Sequence, residues 1–256
     1  MSVIAAIPAR YASTRLPGKP LIEIAGATLI ERVYRQVTAA GISEVIVLTD
    51  DERIANAVEG FGGRFLMTPT DLASGSDRVA HAARAWSAEV ILNVQGDEPL
   101  IDPEALACLA DHLTHHPEDA VATLAAPAGA EDFDNPNVVK VVTDGTGRAL
   151  YFSRSGIPYP RVPGAAPLRR HIGVYGYQRT ALLEIAAIPQ TPLELAESLE
   201  QLRMLESGYS IRVLNVAAAW PGVDTIEDLR QLEALLAERG DPLAGRSGTA
   251  TSRAHS

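Results

Sequence analysis

Residues 8–20, Pro8-Ala9-Arg10-Tyr11-Ala12-Ser13-Thr14-Arg15-Leu16-Pro17-Gly18-Lys19-Pro20, carry three cations, and no acid occurs anywhere in residues 1–22. A loop of this composition offers ammonium, guanidinium and backbone N–H donors to a polyphosphate; read alone, it also fits a solvated basic surface. The chain has only two lysines, Lys19 and Lys140, and arginine carries nearly all the other positive charge. Each lysine is therefore a candidate for a place that wants a compact ammonium.

Two acidic segments complement that loop. In Gln95-Gly96-Asp97-Glu98-Pro99, Asp97 follows an apolar run, where a carboxylate can hold a metal ion that bridges phosphates. In Gly222-Val223-Asp224-Thr225-Ile226-Glu227-Asp228, Thr225 and Asp228 read as a helix N-cap and its N3 partner, which leaves Asp224 for another task. If Asp97 and Asp224 share one magnesium ion, their carboxyl groups must lie within roughly 4–6 Å of each other. The expected alternatives to such a site are absent: Gly18-Lys19 is followed by Pro20, so there is no P-loop, and no G-x-G-x-x-G follows the first apolar run.

Elements that position these residues are legible from periodicity. Val3–Ile7, Glu44–Leu48, Arg64–Met67 and Val90–Val94 read as short strands. Helical patterns over Thr28–Ala40, from Glu52 to Glu59, Ser76–Trp86 and Glu104–His115 lie between or after them, the last starting at Pro103. This alternation is that of an α/β protein with a parallel sheet, whose ligands bind beyond the carboxyl ends of the strands. The second half is richer in strand: Val121–Ala125, Val138–Val142, Ala149–Phe152, Ile172–Tyr177 and Ile211–Val216. Leu193–Glu206 reads as one helix with Leu195, Leu199 and Leu202 on a stripe, and Thr225–Arg239 as another. Residues 1–239 form a single domain in this reading, with a Pro/Gly-rich arm at about 150–168, and 240–256 read as a disordered tail.

Composition narrows the function. At 256 residues, 46% apolar and 21% charged, the chain can bury a full core. Its net charge of −10 argues against a nucleic-acid or anionic-membrane binder. No apolar run approaches a membrane span, and the N-terminus lacks a signal-peptide pattern, so a cytoplasmic protein is expected. The lone cysteine, Cys108, excludes an internal disulfide and reads as a helix-packing residue. His112, His115 and His116 have metal-like spacing but fit a solvated helix end before Pro117 better.

The loop at 8–20 and the segments 73–78, 93–99, 135–142, 149–154, 171–177, 200–203 and 222–225 occur in one order. Together they resemble the 3-deoxy-manno-octulosonate cytidylyltransferases, or CMP-Kdo synthetases, over residues 3 to about 238. Ser76 stands where that family's pattern has threonine; the hydroxyl is kept. The resemblance implies a three-layer α/β/α sandwich of the nucleotide-diphospho-sugar transferase type, a homodimer, and magnesium-dependent transfer of a cytidylyl group from CTP to 3-deoxy-D-manno-octulosonate (Kdo) for lipopolysaccharide synthesis. It also implies roles. Arg10, Arg15 and Lys19 would meet the CTP phosphates, and Ala9, Ser74, Gly75 and Arg78 would line the nucleotide side. Asp97 and Asp224 would be the metal ligands, and with Arg10 and Lys19 the catalytic set. Gln95, Arg154, His171, Tyr177, Glu200 and Gln201 would face the sugar acid. Read without the resemblance, His171 is a strand end, Glu200 an exposed glutamate and Tyr177 a sheet-edge aromatic. Three other functions remain open: transfer to a related acid such as 8-amino-Kdo, a metal-dependent glycosyltransferase, and a silent sugar-nucleotide binder. The second would normally show Asp-x-Asp, which Gln95-Gly96-Asp97 lacks, and the third predicts loss of Lys19, Asp97 or Asp224, all of which are present.

Overall fold

The computed structural model describes residues 2–12, 16–162 and 164–241. The expectation for Arg15 and most of the tail expectation lie outside these residues. In chain order, β1 is Val3–Ala9, and a 3-10 turn at Lys19–Leu21 precedes a small hairpin, β2 (Glu23–Ile24) and β3 (Ala27–Thr28). Then come α1 (Leu29–Ala39), β4 (Glu44–Thr49), α2 (Glu52–Gly60), β5 (Phe65–Met67), α3 (Gly75–Ala83), β6 (Val90–Asn93) and α4 (Pro103–His115). The second half comprises β7 (Val121–Pro127), α5 (Ala130–Phe133), β8 (Lys140–Thr143), β9 (Ala149–Ser153), β10 (Arg169–Gln178), α6 (Arg179–Ile185), α7 (Pro192–Glu197), α8 (Glu200–Glu206), β11 (Ile211–Asn215) and α9 (Ile226–Arg239).

Among the described residues the main sheet runs β11-β7-β10-β6-β1-β4-β5, with β8 and β9 attached beside β10. Every neighbour pair on that path is parallel except the two made by β10. Side chains alternate across the strands, so each strand feeds two cores. Ala5 and Ile7 of β1 pack with Ile30, Val33, Leu106 and Leu109 of α1 and α4. Ile4 and Ala6 pack with Val79, Leu182 and Leu202 of α3, α6 and α8 on the other face. The result is the expected three-layer sandwich with a mainly parallel sheet. No helix among the described residues is long and apolar enough to cross a membrane.

Three features of the fold decide the site. The carboxyl ends of β1, β6, β7 and β11 share one edge, and antiparallel β10 brings its amino-terminal half, including His171, to that same edge. A third, smaller core of Leu16, Ile24, Leu29, Val223, Leu232 and Leu236 packs α9 onto the loop after β1. At the far end of α9, Asp241 accepts two hydrogen bonds from buried Arg32, each 2.9 Å.

Two expectations are corrected here. The helix expected over Leu193–Glu206 is broken: Ser198 takes a left-handed conformation (φ 53°), so α7 ends at Glu197 and α8 starts at Glu200. Leu195 is exposed, whereas Leu199 and Leu202 are buried, so the three do not share one packed stripe. Cys108 does not pack. The buried stripe of α4 is Ala105, Leu106, Leu109, Ala110 and Leu113, and Cys108 falls on the outer face.

Candidate active site

Lys19, Asp97 and Asp224 meet at the sheet edge. The chain reaches Lys19 through a tight return: Gly18 donates its N–H to Tyr11 O at 3.0 Å with φ +69°. A Cβ at Gly18 would stand 3.2 Å from the Tyr11 ring, so the turn suits glycine for both conformation and space. Asp97 follows β6 across Gly96, where a Cβ would lie 3.1 Å from Pro8 O. Asp224 arrives from the opposite end of the sequence. Val223 is buried and donates its N–H to Asp97 O at 2.9 Å, which ties the two acidic segments together. The predicted capping box is present: Thr225 Oγ1 accepts from Asp228 N–H, and Asp228 Oδ2 accepts from Thr225 N–H and Asp224 N–H.

Lys19 Nζ donates to Asp97 Oδ2 at 2.8 Å and to Asp224 Oδ1 at 2.9 Å. The two acceptor oxygens therefore lie within twice a hydrogen-bond length of each other, inside the range the sequence reading requires. The difference from that reading is Lys19 itself: its ammonium, expected to meet the phosphates, sits between the two carboxylates. Like charges held this close need a cation between them, and here the Lys19 ammonium supplies it. The donor set fits magnesium, which takes one or two carboxylates and completes its octahedron with water and phosphate oxygens.

Beside this cluster is a cleft of ≈ 330 Å³ bordered by Ala9, Arg10, Lys19, Gln95, Asp97 and Asp224. Arg10 is steadied by a 2.8 Å bond to Leu72 O. Ser74, expected on this side, borders neither this cleft nor the larger one and caps α3 in a reciprocal box with Asp77; Gly75 packs against Pro8 and lines the larger cleft rather than this one. Arg78 departs from its expected role. It is fully buried, its guanidinium bonds Asp50 Oδ2 at 2.7 Å and also Thr68 Oγ1, and it borders neither cleft. It braces the loops after β4 and β5.

A second cleft of ≈ 670 Å³ joins the first at Gln95 and Asp224. Of the residues expected to face the sugar acid, Gln95, His171, Glu200 and Gln201 line it. Two expected members do not. Tyr177 is buried in the core and touches only a narrow gap beside Glu200. The Arg154 guanidinium is taken up by main-chain carbonyls of Pro136, Glu197 and Ser198, and Arg154 is not in the cleft wall. In their place stand Glu98, Arg170 and Tyr175, none of which is among the expected site residues. Glu98 Oε2, Arg170 Nε, Tyr175 Oη and Gln201 Nε2 are buried polar atoms with no hydrogen-bond partner among the described residues. Buried polar groups are normally paired, so four such atoms around one cleft mark it as a binding surface for a hydroxylated, charged ligand.

Electrostatics sharpens the picture. His171 Nε2 lies 3.0 Å from Thr123 Oγ1, with Phe152 edge-on at 5.0 Å and Tyr175 at 5.3 Å. Burial pushes the imidazole down to about 3, so it is neutral at physiological pH. Glu98 is pushed up to about 8, by burial first and then by the Asp97 charge. The His171 shift has a stability consequence. Its folded pKa lies below its unfolded value, so its contribution is complete above about pH 6.5 and is lost as pH falls toward 3. Melting temperatures of the parent should therefore fall more steeply across that window than those of His171→Gln.

Similarity to known proteins is extensive. A cytidylyltransferase family profile matches residues 4–211, most of the chain. A 3-deoxy-manno-octulosonate cytidylyltransferase from Syntrophotalea carbinolica is 50% identical over 247 residues, covering 92% of this chain and 99% of that one. The protein of the same name from Myxococcus xanthus is 49% identical over 241 residues, covering 93% and 97%. Among solved structures, a CMP:2-keto-3-deoxy-manno-octonic acid synthetase complexed with CTP superposes with a TM-score of 0.90 at 43% identity, over 93% of this chain and all of that one.

Proposed function

This chain belongs to the 3-deoxy-manno-octulosonate cytidylyltransferases, and from that membership we infer that it transfers the cytidylyl group of CTP to Kdo, giving CMP-Kdo and pyrophosphate. The observation that carries the reading is the pair of clefts joined at Gln95 and Asp224. One is bordered by the cations Arg10 and Lys19; the other presents unpartnered polar atoms of Arg170, Tyr175 and Gln201. A triphosphate in the first and a sugar acid in the second would bring the anomeric hydroxyl toward the α-phosphorus in line with departing pyrophosphate.

Both substrates are anionic, so their approach is repulsive and the protein must offset it. Arg10 and Lys19 orient the triphosphate and take up charge on the leaving group. Arg170, whose Nη1 pairs with Asp132 Oδ1 at 3.3 Å, offers its Nε–H to the sugar carboxylate, and neutral His171 and Gln201 order the hydroxyls. Holding the two reactants in this geometry supplies much of the rate. The reading includes magnesium, held by Asp97 and Asp224. When bound, it neutralises the triphosphate and polarises its oxygens. Cytoplasmic action in lipopolysaccharide synthesis and a homodimer belong to the same proposal. The exposed apolar residues Leu150, Tyr159, Val162 and Leu195 on β9, the arm and α7 support a second copy as their cover.

Pyrophosphate release from each of the four ribonucleoside triphosphates, measured against a panel of sugar acids, tests this. CTP with Kdo should be turned over fastest, and ATP and GTP far more slowly. Equal rates with all four nucleotides would overturn the cytidylyl assignment, and a preference for another sugar acid would overturn Kdo.

A further inference from the structure

The second lysine has no place in the charge cluster just described. Lys140 opens β8 and is fully buried. Its Nζ donates to Asn135 O at 2.9 Å, Val138 O at 2.7 Å and Arg154 O at 2.5 Å. Three acceptors require three N–H bonds, so this is the geometry of an ammonium ion. Burial pushes its pKa down, while the charges of Asp132, Asp134 and Glu197 oppose that shift. A buried cation is a costly device for closing a loop. An apolar side chain of the same length would fill the space but leave three carbonyls without a donor.

Those carbonyls belong to segments that build one wall of the larger cleft. Asn135, Asn137, Val138 and Val139 line it directly. Arg154 continues the network: its Nε donates to Glu197 O at 2.8 Å and its Nη1 to Pro136 O at 3.0 Å. The Glu197 carboxylate in turn accepts from Ser153 Oγ at 2.6 Å and Arg154 N–H at 2.9 Å. Directly after Glu197 comes the left-handed Ser198 that breaks the helix and sets Glu200 and Gln201 in the cleft wall.

We propose that Lys140 is a positioning residue for the sugar-acid half of the cleft. By drawing Asn135, Val138 and Arg154 to one point it fixes the wall at 135–139 and, through Arg154 and Glu197, the placement of Glu200 and Gln201. The inference rests on the reading of that cleft as the Kdo site. It also explains how Arg154 serves the sugar side without touching the sugar.

The test is steady-state kinetics of Lys140→Met and Glu197→Gln with each substrate varied in turn, alongside CTP binding by calorimetry and thermal melting. Both variants should raise KM for Kdo about tenfold or more, with CTP affinity and KM for CTP close to the parent's. The double variant should cost less than the product of the two, because both act on one wall. An unchanged KM for Kdo in folded Lys140→Met, or a parallel loss of CTP affinity, would overturn the proposal. Should Lys140→Met not fold, an unchanged KM for Kdo in Glu197→Gln overturns it equally. A parent that does not use Kdo at all would instead strike the functional reading, and this inference with it.

Discussion

Lys19→Ala should slow cytidylyl transfer by roughly two to three orders of magnitude, the usual cost of losing one preorganised charge at a developing anion. The side chain is only 11% exposed and is held by two carboxylates, so its position does not depend on a chance surface rotamer. Arginine should rescue little, because its longer and bulkier guanidinium does not reproduce a compact ammonium held 2.8 and 2.9 Å from the two carboxylates. The loss should fall mainly on kcat. The melting temperature should drop as well, since Asp97 and Asp224 lose the cation they share. Rates and melting curves measured on the same preparations check both parts. A Lys19→Ala enzyme that turns over like the parent would reduce the loop at 8–20 to a basic surface.

Asp97→Asn and Asp224→Asn should each raise the magnesium concentration needed for half-maximal rate and slow turnover by about a hundredfold, a loss comparable to removing one electrostatic contact. Their backbones are fixed independently of the carboxylates, by the Val223-to-Asp97 bond and the Thr225–Asp228 box, so both variants should fold. The double substitution should cost clearly less than the product of the single losses, because both groups act on one ion. Magnesium titrations by calorimetry in the presence of CTP give a readout independent of turnover. Fully multiplicative losses, with unchanged metal affinity in either single variant, would show that the two aspartates do not share a metal ion.

Much of this is legible in the sequence. The alternation of short apolar runs with capped helical patterns gives the sandwich. The acid-free loop, Asp97 and Asp224 converge because each follows an element whose end lies at one sheet edge. What periodicity cannot carry is direction. Arg78 and Arg154 carry the right charge for ligand binding, but the Arg78 guanidinium is anchored on Asp50 and Thr68 inside the core, and that of Arg154 on main-chain carbonyls. Tyr175 and Tyr177 share a strand face. Only the antiparallel course of β10 tells which is nearer the ligand edge, and no local signal reveals that course. Glu98 was hidden beside Asp97, although an acid just after a metal-type aspartate in a strand-end turn is a signal that could have flagged it. The break at Ser198 escaped because the leucine spacing runs on through it while the backbone does not.

The ion cluster joins residues at the two extremes of the chain: Lys19 and Asp224 are 205 positions apart. During synthesis the basic loop and Asp97 therefore emerge long before the segment that completes them. Until α9 docks on Leu16, Ile24 and Leu29, the ammonium has one carboxylate partner of its eventual pair. Most of the sheet can form by then, since β11 ends at Asn215. The charge cluster is thus completed by the last-synthesised part of the described chain, and a nascent or C-terminally shortened molecule would lack both Asp224 and the stretch of cleft wall that the same segment supplies.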